Sequence, residues 1–110
     1  MKRDTFRDYV LEQLREAGEV ECRAMFGGHG LYQGGRIFGL LYKGRFYLKT
    51  SPMSRKAFVE AGMKPFKPDA RQTLKSYYEV PADVLEAPDE LARWVERARN
   101  AAGGDGRDRV

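Results

Sequence analysis

The chain has 110 residues, 42% of them hydrophobic, which suits one domain with a core of its own. No stretch approaches the roughly 20 consecutive apolar residues of a membrane span, and the N-terminus lacks the apolar block of a secretory signal. We therefore expect a cytoplasmic protein that does not enter the membrane. The single cysteine, Cys22, and the single histidine, His29, exclude an internal disulfide and argue against a zinc site, so we expect no metal and no cofactor.

The net charge of +4 is concentrated in one stretch. Between Arg55 and Lys75 there are six basic and two acidic residues, whereas the two signs balance over the rest of the chain. A local group of cations can meet nucleic acid or an acidic partner, although a solvated loop and helix face is the commoner explanation. The candidate binding surface in this stretch consists of Arg55, Lys56, Lys64, Lys67, Arg71 and Lys75.

The chain opens with a predicted helix over residues 4–17. Asp4 is the predicted N-cap, and Gly18 is a natural end because glycine adopts a left-handed conformation without steric cost. Apolar residues recur at helical spacing and form one stripe, namely Phe6, Tyr9, Val10, Leu14 and Ala17.

Four strands are predicted next, over residues 21–26, 29–33, 36–42 and 45–50. Gly34-Gly35 and Lys43-Gly44 predict tight turns, so neighbouring strands should be antiparallel. The third strand is almost continuously apolar, which is typical of a central strand covered on both faces. The fourth alternates, with Phe46 and Leu48 on one face and Arg45, Tyr47 and Lys49 on the other.

The second half of the chain predicts two helices around one strand. Ser51 caps the first helix, whose residues Phe58 and Val59 should face inward, and Gly62 ends it. Residues 64–72 are rich in Pro and Lys and predict a loop, and residues 73–80 predict a strand. The last helix covers about 88–101, with an apolar stripe of Leu91, Trp94, Val95 and Ala98.

These elements predict an α+β fold of two layers, in which helices from both chain ends pack on an antiparallel meander. The expected order is one helix, three or four strands, a helix, one or two strands and a last helix. We expect the domain to span residues 1–102 and residues 103–110, which are small and charged, to form a disordered tail.

Two motifs invite a chemical interpretation. The run 25–30, Met-Phe-Gly-Gly-His-Gly, has the glycines of a phosphate loop, but a strand follows it and no Gly-Lys-Ser/Thr occurs. We interpret it as a bend between strands, where glycines permit positive φ. Cys22 and His29 could form a catalytic pair only if the fold brought them together around an exposed thiolate. An enzyme using either residue is the least favoured alternative, and we assign no catalytic residue.

Tyrosines and lysines interleave on the predicted strands, as they do where nucleic-acid bases stack on aromatic side chains. Tyr42, Tyr47 and Tyr77 lie close in sequence to Lys43, Lys49 and Lys75. Aromatic residues on strands more often belong to a core, and no recognised DNA- or RNA-binding signature is present. Direct binding of nucleic acid through residues 55–75 therefore stays an alternative.

The run from Arg23 to Tyr32 resembles the opening motif of the TfoX N-terminal domain family. The resemblance continues through residues 37–40, 46–49, 61–66 and 76–81 and covers roughly residues 4–102. The motif positions, to which we assign a structural role, are Arg23, Met25, Phe26, Gly27, Gly28, Gly30, Tyr32, Tyr77, Tyr78, Pro81 and Trp94.

The resemblance implies a two-layer α+β fold with antiparallel strands. The family's best-known members are bacterial regulators that promote the transcription of competence genes together with a transcription activator, and they carry a second, helical domain at the C-terminus. The resemblance implies that this chain is a stand-alone version of the first domain. We expect a non-enzymatic regulatory module that binds protein partners, and a homodimer is a further expectation.

Overall fold

The computed structural model describes residues 5–25 and 27–103. The helices are α1 (Thr5–Gln13), α2 (Pro52–Glu60), α3 (Ala82–Leu85) and α4 (Pro88–Gly103), and a short 3₁₀ helix (Leu14–Ala17) continues α1. The strands are β1 (Glu21–Met25), β2 (Gly28–Gln33), β3 (Arg36–Tyr42), β4 (Arg45–Lys49), β5 (Pro65–Asp69) and β6 (Gln72–Glu79). They form one sheet in the order β1-β2-β3-β4-β6-β5.

The first four strands form the predicted antiparallel meander. Met25 pairs with Gly28 next to the first turn, and Glu21 pairs with Tyr32 at the far end of the same hairpin. The register between β2 and β3 shifts after Leu31, which pairs with Gly39 while Tyr32 pairs with Ile37. This one-residue irregularity is a β-bulge, and it bends the strands locally. The α+β fold predicted from the sequence is therefore confirmed.

One side of the sheet, the helix side, carries the main core. There α4 buries Leu91, Trp94, Val95 and Ala98, as its apolar spacing predicts. These residues pack with Val10 of α1, Leu14 and strand residues such as Phe38 and Leu48. Trp94 meets the ring of Phe58 from α2 edge to face, with 4.7 Å between the ring centroids.

The opposite side, the open side, carries a second apolar cluster built within the described residues from strands alone. Its members are Met25, Ile37, Leu40, Tyr42, Tyr47, Phe66, Leu74 and Tyr77. The rings of Tyr42 on β3 and Phe66 on β5 are 5.3 Å apart. In a flat sheet, strands three positions apart would be about 14 Å apart. The sheet therefore curls, and β5 leans over the open side.

Two sequence-based expectations need correction. The prediction of a loop at 64–72 is wrong, because β5 occupies Pro65–Asp69. A strand that contains two prolines resembles a loop in sequence, yet proline is tolerated on the edge of a sheet. The prediction that Val59 faces inward is also wrong, since 56% of it is exposed whereas Phe58 is buried. The helix predicted over residues 4–17 does end at Ala17, before Gly18, and its last four residues, Leu14–Ala17, are in 3₁₀ rather than α conformation.

Some predicted features lie outside the described residues. They include the predicted N-cap Asp4, the motif residue Phe26 and residues 104–110 of the predicted tail 103–110, whose first residue, Gly103, is the last of α4. No helix in the described part of the chain is long and apolar enough to cross a membrane.

Candidate interaction surface

Three motif residues from the first hairpin, Arg23, Met25 and Tyr32, meet on the open side. The Arg23 guanidinium lies 4.6 Å from the centroid of the Tyr32 ring, and its Nε donates a hydrogen bond of 3.0 Å to Glu21. That hydrogen bond raises the pKa of Arg23 above its usual value. Met25 packs beside this pair against the strand cluster. The arrangement presents a fixed cation on an aromatic surface that solvent reaches.

Two glycines of the motif allow close packing rather than unusual backbone angles. Of the motif glycines Gly27, Gly28 and Gly30, only Gly27 has a positive φ, of 81°. A Cβ on Gly28 would lie 2.1 Å from the carbonyl oxygen of Leu41, and one on Gly30 would lie 2.6 Å from Sδ of Met25. The interpretation that glycines permit positive φ at this bend therefore applies to Gly27, whereas Gly28 and Gly30 are needed for close packing.

The remaining motif residues divide between the two sides of the sheet. Tyr77 is buried on the open side, where Nζ of Lys49 lies 5.3 Å from its ring centroid. Tyr78 packs on the helix side, 6.0 Å from the Phe58 ring. Pro81 precedes α3, and its carbonyl accepts a hydrogen bond from the Leu85 amide. The carboxyl of Glu90 accepts hydrogen bonds from Arg93 and from the Trp94 indole N–H, and these two contacts, the Arg93 one foremost, lower its pKa.

A surface cavity of about 430 Å³ brings together part of the predicted basic surface. Lys64 and Lys67 line it, as do Arg45 and Glu79. The Arg45 guanidinium contacts both carboxylate oxygens of Glu79, at 3.0 and 3.1 Å. Burial raises the pKa of the Tyr47 phenol in the same cavity, and Glu79 adds to the rise. The phenol is thus neutral at physiological pH, and the cavity walls carry more positive than negative charge.

The other predicted cations lie elsewhere. Arg55 and Lys56 line a separate cavity of about 370 Å³ on α2, and Nε of Arg55 donates a hydrogen bond to Thr50. Arg71 sits in the turn between β5 and β6, where its backbone N–H donates to Asp69. Lys75 is exposed on β6. The structure therefore gathers Lys64 with Lys67 and Arg55 with Lys56, not all six residues in one cavity.

Sequence reasoning did not select Arg45 and Glu79 for this surface. The two are 34 positions apart, and they meet because β4 pairs with β6. The strand alternation of residues 45–49 places Arg45 on the side opposite Phe46, as predicted from the sequence. Glu79 could not have been identified as the contact of Arg45 in this way, because nothing in the sequence near either residue indicates that β6 lies beside β4.

Cys22 and His29 are diagonal neighbours on the first hairpin. Cys22 pairs with Leu31, and His29 pairs with Ala24. Both side chains are half-buried. Among the described residues, no group of three or more His, Cys, Asp and Glu is placed to hold a metal ion.

Comparison with known proteins gives the family. The model of the TfoX N-terminal domain family matches residues 12–102. The chain is also 29% identical over 87 residues to "DNA transformation protein TfoX1" of Aliivibrio fischeri (strain ATCC 700601 / ES114). That alignment covers 77% of this chain and 42% of the relative, so the chain spans less than half of the relative's length. The match over residues 12–102 includes all the motif residues on both sides of the sheet, and the chain belongs to the TfoX N-terminal domain family.

Proposed function

We propose that this domain is a cytoplasmic regulatory module of DNA transformation, which acts by binding a protein partner and not by catalysis. The relative's name supports the link to transformation. The binding role rests on what the family motif residues do in the fold. The motif glycines allow neighbouring strands to pack closely, and Arg23 stacks on the ring of Tyr32. These are packing roles, and they leave an aromatic and cationic surface for a partner.

Chromosomal replacement in the source organism tests both parts of this proposal. Deletion of the gene should lower the frequency of natural transformation and the transcript levels of DNA-uptake genes. A strain carrying Cys22→Ser and His29→Asn, at the wild-type protein level, should keep the wild-type frequency. An unchanged frequency in the deletion strain would overturn the link to transformation. Loss in the double variant equal to that in the deletion strain would overturn the non-catalytic role.

Direct nucleic-acid binding is the second candidate, and one observation favours it. Lys64, Lys67 and Arg45 line a single cavity beside Tyr47, so three cations could contact adjacent phosphates. Affinity for a DNA duplex, measured by fluorescence anisotropy, should then fall about 10- to 40-fold between 50 and 200 mM salt if two or three phosphates are contacted. Lys64→Glu with Lys67→Glu should abolish binding, whereas Lys56→Glu should weaken it less. No binding at the lower salt concentration would remove this candidate.

A further inference from the structure

The two edges of the sheet differ in their capacity to accept another strand. At one edge, β5 contains Pro65 and Pro68, which have no backbone N–H to donate. At the other edge, β1 contains no proline, and β2 is its sole pairing partner in the part of the chain that the structure describes. An exposed edge strand with unpaired N–H and C=O groups is a template for a further strand. The chemistry of the edges therefore directs strand addition to β1.

Charged and uncharged side chains alternate along β1 from Glu21 to Ala24. Glu21 and Arg23 lie on the open side, where both are exposed, with 58% and 55% of their side chains accessible. The helix-side positions are apolar: Val20 and Cys22 pack at the margin of the main core, and Ala24 follows on the same side. One side of this edge thus carries one negative and one positive charge, and the other side carries none.

This pattern is complementary to itself in one register. When two copies of β1 pair antiparallel about Cys22, each Glu21 faces an Arg23 of the second copy. On the helix side, Cys22 then faces Cys22, and each Val20 faces an Ala24. A shift of the two-fold axis to Arg23 would place two arginines opposite each other. A shift to Glu21 would place two glutamates opposite each other at the axis and would pair Arg23 only with Glu19, which lies outside β1. Like charges directly opposite each other are destabilising, so both shifts are disfavoured.

We propose that two copies of this chain associate through β1, antiparallel and centred on Cys22, to form one continuous sheet across the dimer. The partner of this surface is a second copy because the same residues supply both halves of each charged and apolar pair, as a two-fold interface requires. The association leaves the cavity lined by Lys64 and Lys67 open, since that cavity includes residues of β5 at the opposite edge. It does not depend on the role in transformation.

Charge reversal on separate copies tests this interface. Arg23→Glu gives a copy with two negative charges on β1, and Glu21→Arg gives a copy with two positive charges. Each variant alone should dimerise about 10- to 100-fold more weakly than the wild type, because both facing pairs become like-charged. A mixture of the two variants should recover dimerisation, since every facing pair is then of opposite sign. Sedimentation equilibrium measures all three samples, and thermal melts by circular dichroism confirm that each variant is folded.

The mixture separates this interface from effects within one chain. The hydrogen bond from Arg23 to Glu21 is lost in both variants and is not restored by mixing, so recovery can arise only between copies. Lys56→Glu, an exposed charge reversal on α2, should leave dimerisation unchanged. A wild-type protein that stays monomeric at high micromolar concentration would overturn the proposal. A mixture no stronger than its separate components would do the same.

Cross-linking reports the register. Cα atoms directly opposite each other in an antiparallel pair are about 4.5 to 5.5 Å apart, within the range that a disulfide spans. Mild oxidation should therefore link two copies through Cys22. The matched control carries Cys22→Ser and Ala24→Cys, and it should link poorly because position 24 faces Val20 of the second copy. Equal or stronger linking through position 24 would contradict a two-fold axis at Cys22.

Discussion

The ring of Phe66 on β5 meets the ring of Tyr42 on β3 edge to face, although two strands separate β5 from β3 in the sheet. Phe66 also lies 4.7 Å from the Tyr47 ring of β4 and is completely buried. One side chain thus closes the curled sheet over its open side. The wall of the cavity that contains Lys64 and Lys67 depends on this closure, because Pro65 and Tyr47 are part of the same lining.

Phe66→Ala should destabilise the domain by about 3 to 5 kcal/mol, because it removes a buried ring and leaves a cavity among the strands. Urea unfolding followed by circular dichroism measures the free energy of unfolding. Met53→Ala is the control: Met53 is 82% exposed, and its loss should change stability by no more than about 0.5 kcal/mol. Equal effects of the two substitutions would contradict the closing role of Phe66.

Gly28→Ala should destabilise the fold by about 1 to 3 kcal/mol, because the new methyl group would collide with the backbone of β3 at Leu41. Gly30→Ala should cost less, since the group it meets first is the flexible end of Met25. Melting temperatures of the two variants and the wild type give the order. A Gly30 variant less stable than the Gly28 variant would show that the contact with Leu41 does not determine the requirement for glycine.

Ser51→Ala should lower the free energy of unfolding by about 1 kcal/mol, through loss of the N-cap of α2. Oγ of Ser51 accepts from the Ser54 amide at 3.1 Å, and Oγ of Ser54 accepts in return from the Ser51 amide at 2.9 Å. Chemical denaturation measures the change. Ser51→Asp keeps an oxygen acceptor and should retain most of the stability, so a variant as unstable as Ser51→Ala would contradict the capping role.

Glu16→Gln should raise the melting temperature at neutral pH and lose this advantage as the pH falls. A hydrogen bond with Asp89 is the main cause that raises the pKa of Glu16 in the folded protein, and charge repulsion from Asp89 adds to it. The pKa of Glu16 is higher in the folded than in the unfolded protein. The stabilisation by protonated Glu16 is therefore full below the unfolded pKa and is lost as pH rises through the folded pKa. Glutamine carries no charge at neutral or at acidic pH, so it avoids the charge repulsion from Asp89.

Melting temperatures of the wild type and Glu16→Gln across the acidic and neutral range test the sign. Glu12→Gln is the control, since Glu12 belongs to the same helical segment and pairs with Arg15 at 3.2 Å rather than with another acid. Its substitution should not stabilise the protein at neutral pH. A Glu16→Gln advantage that grows toward acidic pH would contradict the interaction with Asp89.

The sequence by itself determined every element with a strong local signal. The spacing of Leu91, Trp94, Val95 and Ala98 located α4 and its buried face, because helical periodicity sets which side chains share a side. Paired glycines and the alternation of residues 45–49 located the meander, and Ser51 located the start of α2. Each of these signals acts over a few residues, so no knowledge of distant contacts was needed.

Only the tertiary structure determined which residues distant in sequence contact each other. Strand β5 exists because β6 and the rings of Tyr42 and Tyr47 hold Phe66, and its own prolines indicate a loop. Gly28 looked like a residue of unusual backbone angle, whereas its neighbour across the sheet is what demands glycine. Likewise, the bond of Arg45 to Glu79 and the position of β1 at one end of the sheet follow from strand order. Strand order is set by the packing of the whole domain, which local sequence preferences do not encode.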